Sequence, residues 1–140
     1  MGIDAHIELI TGTMFSGKST ELIRRLNRYG HLGLHIQTFK SIIDTRYDTV
    51  HITSHDGLRR EVIRVEGIDH LQSILNPQTQ VVGIDEVQFF EDNVINWAHL
   101  YAQHGGIVVA SGLLKDFRDE YFPFKQTVKS QSPKTMADFL

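Results

Sequence analysis

An eight-residue stretch near the N-terminus constrains this chain more than any other feature: Gly12-Thr13-Met14-Phe15-Ser16-Gly17-Lys18-Ser19. It fits the pattern Gly-x-x-x-x-Gly-Lys-Ser/Thr, in which glycines let backbone N–H groups curl around phosphate oxygens. Residues 6–11 alternate like a short strand, and residues 20–29 carry apolar side chains at helical spacing. The sequence therefore predicts a strand, a phosphate-binding loop and a helix whose N-terminal dipole faces the phosphates. In this motif Lys18 contacts the β- and γ-phosphates, and the Ser19 hydroxyl binds Mg²⁺.

The bulk composition is that of an ordinary globular chain. One domain is expected for 140 residues, and 41% hydrophobic residues suffice for a core. The net charge of −3 argues against a nucleic-acid partner or a membrane surface. No cysteine is present, which excludes disulfides and thiolate zinc sites. The chain has neither a run long enough to span a membrane nor an N-terminal signal pattern, so a cytoplasmic location is expected.

Apolar stretches that alternate between strand and helix patterns indicate the fold class. Strands are predicted at residues 34–39, 80–86 and 107–110, and helices between residues 67 and 76 and over residues 94–101. Asp92 or Asn93 is expected to cap the second of these helices. This alternation predicts an α/β fold, a parallel sheet with helices on both faces. With the phosphate loop, the expected fold class is a P-loop NTPase, for which we predict a RecA-like sheet. The glycine loop, the pair Asp85-Glu86 and a turn at Ser111-Gly112 would all lie at the carboxyl edge of the sheet.

Two further segments have a pattern of their own. Residues 49–53 and 61–65 alternate on either side of Asp56-Gly57, which predicts a β-hairpin arm projecting from the sheet. The segment Asp44-Thr45-Arg46-Tyr47 is interpreted as a mobile lid, although spacing alone makes Asp44 and Arg46 a surface ion pair of little energetic value. On the first helix, three arginines are expected to form a solvated face opposite the apolar stripe: Arg24, Arg25 and Arg28.

The carboxylate pair suggests the chemistry. Asp85 ends an apolar strand, where a carboxylate that organises Mg²⁺ is expected, and Glu86 is assigned as the general base that accepts a proton from an attacking hydroxyl. The same glutamate could activate water instead, as in an ATPase, or the pair could be only the polar end of a strand. Four apolar residues could form a flat pocket that stacks on a nucleobase, although each taken singly is more often a core residue: Met14, Phe89, Phe90 and Phe117.

Five motifs together resemble the type II thymidine kinases, the cellular, bacterial and poxviral family, from about residue 6 to residue 124. They are the stretch from Gly12 through Ser19 to Thr20-Glu21-Leu22, then Asp44-Thr45-Arg46-Tyr47, Ser54-His55-Asp56-Gly57, Asp85-Glu86-Val87-Gln88-Phe89-Phe90, and Gly112-Leu113 with Asp116-Phe117 and Pro123-Phe124.

The resemblance implies transfer of the ATP γ-phosphate to the 5′-hydroxyl of thymidine or deoxyuridine, with ATP and Mg²⁺ as cofactors, in a homotetramer. It makes Glu86 the proton acceptor and Asp85, with Ser19, an organiser of Mg²⁺. It adds Asp44, Arg46, Asp85 and Gln88 to the glycine loop as ATP-binding residues, with Arg46 over the phosphates. Met14, Phe89 and Phe117 match positions that line the family's base pocket.

The sequence departs from the family pattern in two places. Leu114 stands where the family usually has Asp, and the cysteine-rich zinc domain with its lasso loop over the thymine is not represented. We therefore expect a kinase domain over residues 1–124, and the start of a C-terminal segment, truncated or divergent, over residues 125–140. ATP binding is expected to survive this difference. Two alternatives to thymidine phosphorylation stay open, an ATP-binding module without catalysis and a P-loop ATPase.

Overall fold

Five parallel strands and one short antiparallel strand form the main sheet, in the order Ile63–Val65, Ile36–Ser41, Val81–Asp85, Ile107–Leu113, His6–Gly12 and Lys134–Thr135, the last being antiparallel. The computed structural model describes residues 4–12, 17–43, 51–53, 59–113 and 134–135. Several residues singled out from the sequence lie outside these ranges, namely Thr13, Met14, Phe15, Ser16, Asp44, Arg46, Leu114 and Phe117. The strands of the sheet are β1 His6–Gly12, β2 Ile36–Ser41, β5 Ile63–Val65, β6 Val81–Asp85, β7 Ile107–Leu113 and β8 Lys134–Thr135.

Helices cover both faces of this sheet, which confirms the expected α/β architecture. Helix α1, Lys18–His31, packs on one face, while α2, Ile68–Ile74, and α3, Asn93–Gln103, pack on the other. Strand β6 shows how the alternation serves both sides, since Val81 joins the core under α1 whereas Val82 and Ile84 join the core under α2 and α3. All five residues of β6 are buried, as expected for a central parallel strand.

Helix α1 approaches the sheet closely at Gly83. A Cβ atom added at Gly83 would lie 2.7 Å from Cδ1 of Leu26 and 3.3 Å from Cγ2 of Thr38. Both distances are shorter than ordinary van der Waals contact, so a side chain here would push the helix or its leucine away. The absence of a side chain in the middle of β6 therefore sets how near α1 can lie.

The hairpin arm is present, but its second strand ends earlier than the alternation suggested. Strand β3, His51–Thr53, pairs antiparallel with β4, Arg59–Glu61. Beyond buried Val62 the chain turns into β5, which pairs parallel with β2 at the edge of the main sheet. The arm also does not project freely, because Ile52 is buried in the core under α1 and Arg60 Nη1 donates to Asn27 Oδ1 on that helix at 2.6 Å.

Two local expectations were wrong. Ser111 and Gly112 do not form a turn, because β7 continues through both and pairs with Ile10 and Thr11 of β1. Asp92 occupies the position before α3 but has helical backbone angles, and its side chain makes no capping hydrogen bond.

Candidate phosphate-transfer site

The carboxyl ends of the parallel strands meet at one edge of the sheet. Gly12 ends β1 there and Asp85 ends β6, with β7 between these two strands. Three neighbouring strands each place one buried polar residue near this edge, namely Lys40 on β2, Asp85 on β6 and Ser111 on β7. Strand alternation puts all three on the face that α1 covers. The first turn of α1, which carries Lys18, begins at the same edge.

The carboxylate of Asp85 is held at both of its oxygens. Ser111 Oγ donates to Oδ1 at 3.0 Å, and Lys40 Nζ lies 3.8 Å from Oδ2. The lysine reaches this position because Lys40 and Asp85 are direct partners in the β2–β6 register. A hydroxyl donor and a cation beside a buried carboxylate compensate its charge and keep it in one orientation. A carboxylate held in this way is suited to organising a metal ion.

Helix α1 begins directly after the glycine loop. Gly17, with φ of 87°, has a left-handed backbone and its carbonyl accepts from the Glu21 N–H at 3.0 Å. Such a backbone favours glycine, which explains the second glycine of the motif. Lys18 and Ser19 are the next two residues, Lys18 buried and Ser19 half-buried. The two functional side chains of the motif are thus carried by the first turn of the helix, where its dipole attracts anions.

Glu86 has an unusual backbone for a residue with a side chain. Its φ of 56° and ψ of 57° are left-handed, and it is the one non-glycine residue with positive φ among the described residues. This conformation costs about 1–2 kcal/mol, and such outliers concentrate at functional sites. Gln88 Nε2 donates to Glu86 Oε1 at 2.7 Å and orients the carboxylate. The chain thus turns sharply after buried Asp85 and leaves the Glu86 side chain half-buried.

The two adjacent phenylalanines differ in their surroundings. Phe90 is buried in the core with Val87 and Val94, so for this residue the core reading is correct. Phe89 is half-buried at the end of the 3₁₀ turn Val87–Phe89. A half-buried ring next to Glu86 leaves the base-pocket prediction for Phe89 intact, while Met14 and Phe117 lie outside the described residues.

A buried charged cluster under α1 was missed from the sequence. Glu8 on β1 accepts a hydrogen bond from Arg25 Nη1 at 2.9 Å, from His6 Nε2 at 2.8 Å and from the Tyr29 hydroxyl. Arg25 also donates through Nε to Glu21 at 2.7 Å. The prediction of a solvated arginine face was therefore wrong for Arg25, although Arg24 and Arg28 are exposed. Helical spacing could have indicated that Arg25 is buried, because it lies on the same stripe of α1 as three less polar residues: Leu22, Leu26 and Tyr29.

The cluster shifts the pKa values of its members. Burial by itself lowers the pKa of His6, but the hydrogen bonds to Glu8 and to the Asp4 carbonyl outweigh it and raise the pKa above 6.5. Burial raises the pKa of Glu8, but the bonds from His6, Tyr29 and Arg25 outweigh it and hold the pKa below 4.5. Burial, followed by the bond to Glu8, raises the pKa of the Tyr29 phenol. Both ring nitrogens of His6 face acceptors, so the geometry also favours the charged imidazolium.

The oxygen donors at the sheet edge fit a hard divalent cation. The Asp85 carboxylate and the Ser19 hydroxyl are ligand types that Mg²⁺ prefers, and Mg²⁺ typically uses one or two protein groups with phosphates. Among the described residues no group of three or more His, Asp or Glu side chains could hold a metal by itself. No helix in the described part of the chain is long and apolar enough to cross a membrane.

Comparison with known proteins identifies the relatives of this chain. The thymidine kinase family model matches residues 5–134. A thymidine kinase of Mycoplasma capricolum is 42% identical over 128 residues, which cover 88% of this chain and 60% of the relative. Thymidine kinases of Bdellovibrio bacteriovorus and Thermococcus kodakarensis are each 42% identical, over 83% and 84% of this chain and 57% and 62% of their own lengths.

These matches cover most of this chain but only part of each relative. The chain spans about 60% of the length of these relatives, so the comparison bears only on the region that is matched. Within the chain, the family model covers the phosphate loop, the Asp85-Glu86 pair and every strand of the main sheet up to the first residue of β8. The chain therefore belongs to the thymidine kinase family.

Proposed function

We propose that this chain carries the phosphoryl-transfer site of a thymidine kinase, which moves the γ-phosphate of ATP to the 5′-hydroxyl of thymidine or deoxyuridine. The observation that carries the proposal is the pairing of buried, oriented Asp85 with half-buried Glu86 at the sheet edge where α1 begins, in a chain of this family. Phosphoryl transfer needs positioned charges and an aligned substrate hydroxyl more than covalent chemistry, and the oriented carboxylates of this edge support the proposal.

Each residue has a distinct task in this proposal. Lys18 and the N–H groups of the loop bind the phosphates, and Asp85 and Ser19 hold Mg²⁺, which when bound neutralises phosphate charge. Asp44 and Arg46 close over the nucleotide. Glu86, kept in place by Gln88, takes the proton from the 5′-hydroxyl as that oxygen attacks. Gln88 is also proposed to contact ATP. Met14, Phe89 and Phe117 are proposed to contact the base.

The wider setting follows from the family resemblance. We infer a kinase domain over residues 1–124, followed by a C-terminal segment over residues 125–140. We also infer a cytoplasmic enzyme that assembles as a homotetramer and uses neither nucleic acid nor a membrane as partner. Light scattering on the purified protein measures the assembly, and a monomer at micromolar concentration would contradict this part of the proposal.

The decisive experiment measures the product directly. The chain is incubated with labelled ATP, Mg²⁺ and thymidine, alone and fused to the zinc and lasso domain of a thymidine kinase relative, and thymidine monophosphate is quantified. The expected result is product in the fused form that is lost in Glu86→Gln.

Two outcomes favour the alternative functions. ATP hydrolysis that needs no thymidine and disappears in Glu86→Gln favours an ATPase. Tight ATP binding without either product, in both forms of the folded protein, favours a binding module.

A further inference from the structure

Lys40 is a buried lysine at the proposed transfer site for which the mechanism above has no task. The side chains of Lys40 and Asp85 are each 5% exposed, and the atoms Nζ and Oδ2 are 3.8 Å apart. At this separation the contact is an ion pair rather than a directed hydrogen bond.

The position of Lys40 is fixed by the sheet rather than by a loop. It lies on β2 opposite Asp85 of β6, and β2 pairs along its length with both β5 and β6. Lys40 and Lys18 are both buried at the edge where α1 begins. A lysine ammonium is a compact charge with three donors, suited to phosphate oxygens as well as to carboxylates.

A buried ammonium beside the metal-organising carboxylate has a thermodynamic consequence. Any divalent cation that uses Asp85 meets a carboxylate whose charge is already partly neutralised by Lys40. The lysine and the cation therefore compete for Asp85, and both attract the polyphosphate of the nucleotide. Without the lysine, nucleotide binding depends more strongly on the divalent cation. Without the divalent cation, it depends more strongly on the lysine.

We propose that Lys40 is a positioning residue of this site, a built-in counter-cation that neutralises Asp85 and attracts the polyphosphate when no divalent cation is bound. The inference rests on the proposed function, because it takes the ligand to be a nucleoside triphosphate with its metal. It goes further by assigning part of the electrostatic role of the metal to a residue outside the glycine loop.

The test compares nucleotide affinity with and without the metal. The probe is a fluorescent N-methylanthraniloyl ATP, titrated in excess Mg²⁺ and in excess EDTA. The measured quantity is the dissociation constant in EDTA divided by the dissociation constant in Mg²⁺. In Lys40→Met we expect the ratio to rise about tenfold, mainly because affinity in EDTA falls. Lys40→Arg keeps the charge and should return the ratio to that of the unaltered chain.

Ser111→Ala is the matched control. It removes the hydrogen bond to Oδ1 of Asp85 without changing any charge, so its ratio should stay within about twofold of the unaltered chain. Thermal unfolding checks that each variant folds, and Lys40→Gln replaces the methionine variant if that one does not.

An unchanged ratio in folded Lys40→Met or Lys40→Gln overturns the inference and leaves the proposed function standing. An equal rise in Ser111→Ala also overturns it, because the effect would then come from the orientation of Asp85 alone. Failure of the unaltered, folded chain to bind the probe overturns the proposed function and this inference together.

Discussion

Arg25 and Glu8 form a buried ion pair between helix α1 and strand β1, with Nη1 and Oε1 2.9 Å apart and side chains 7% and 2% exposed. Strand β1 leads into the glycine loop and α1 leads out of it, so the pair fixes both flanks of the loop. His6 and Tyr29 complete the shell around the Glu8 carboxylate. The loop is thus supported by a polar contact beneath the helix as well as by apolar packing.

Arg25→Met should therefore be strongly destabilising. Removing one partner of a buried pair leaves the other charge without full compensation, which costs about 3–5 kcal/mol. Arg24→Met is the matched control, since Arg24 contacts Glu21 at 3.1 Å from an exposed position and should cost about 1 kcal/mol or less. Urea unfolding of both variants measures the difference, and equal losses would contradict the structural role of the Arg25–Glu8 pair.

The same cluster predicts how stability depends on pH. The pKa of His6 is raised in the folded state, so its contribution is fully present below 6.5 and is lost as pH rises through the folded pKa. The pKa of Glu8 is lowered, so its contribution is present above 4.5 and is lost as pH falls through the folded pKa. The contribution of the cluster should be largest between these two values.

His6→Gln separates this effect from the other titrating groups. Unfolding free energies are measured for both proteins from mildly acidic to alkaline pH, with Arg25, Glu21, Asp4 and Arg28 as the charged groups nearby. The stability advantage of the unaltered chain should shrink as pH rises above 6.5. A constant advantage across that range would show that His6 contributes by packing alone.

Lys18→Ala should remove ATP binding and leave the fold intact. The lysine is buried in the first turn of α1, and the motif assigns its charge to phosphate binding rather than to support of the core. Arg28→Ala, an exposed substitution on the same helix, should leave ATP binding unchanged. Calorimetric titration with ATP and thermal unfolding test both halves of the prediction. Loss of cooperative unfolding in Lys18→Ala would refute the prediction that the fold stays intact.

Glu86→Gly should raise stability while it removes activity. Glycine adopts the left-handed backbone of this position without the side-chain penalty, which gives a gain of up to about 1 kcal/mol. Loss of the proton acceptor should lower phosphoryl transfer about 10²–10⁴-fold. Glu86→Gln should lower activity similarly but without the gain in stability. A glycine variant that is active and no more stable than the unaltered chain would contradict the interpretation that Glu86 keeps its strained backbone for the sake of activity.

Gly83→Ala should destabilise the domain by about 1–3 kcal/mol, because the added methyl group would overlap Leu26 in a closely packed interface. Gly30→Ala is the control within α1, where the nearest atom to an added Cβ, Ile36 Cδ1, is 3.6 Å away. That substitution should be neutral or stabilising by about 0.5–1 kcal/mol, since alanine favours the helix. Chemical denaturation of the two variants gives the comparison, and similar values for both would argue against close packing at Gly83.

The sequence predicted the order of strands and helices because β6 and β7 are nearly continuous apolar runs, β1 alternates, and the helices have apolar residues at helical spacing. It also predicted that Asp85 and Ser111 lie at the same edge of the sheet, since the carboxyl ends of parallel strands share an edge. Lys40 was not recognised, because partnership across β2 and β6 depends on register and not on any local pattern.

Three errors have specific causes. The alternation of residues 61–65 gave no sign that the chain changes sheets at Val62. Ser111 and Gly112 have turn-like composition, but β1 provides pairing partners that keep them in β7. The charge of Arg25 predicts a solvent-exposed side chain, but its place on the apolar stripe of α1 puts it opposite Glu8 of β1. In each case a tertiary contact outweighed a local preference.

Strand β7 lies between the strand that ends in the glycine loop and the strand that ends in Asp85. Two inter-strand steps therefore separate the two halves of the proposed site, a span of about 9.5 Å. Backbone hydrogen bonds maintain that span, and side chains contribute little to it. Substitutions can change the charge or shape of either half, but the distance between the two halves is a property of the sheet.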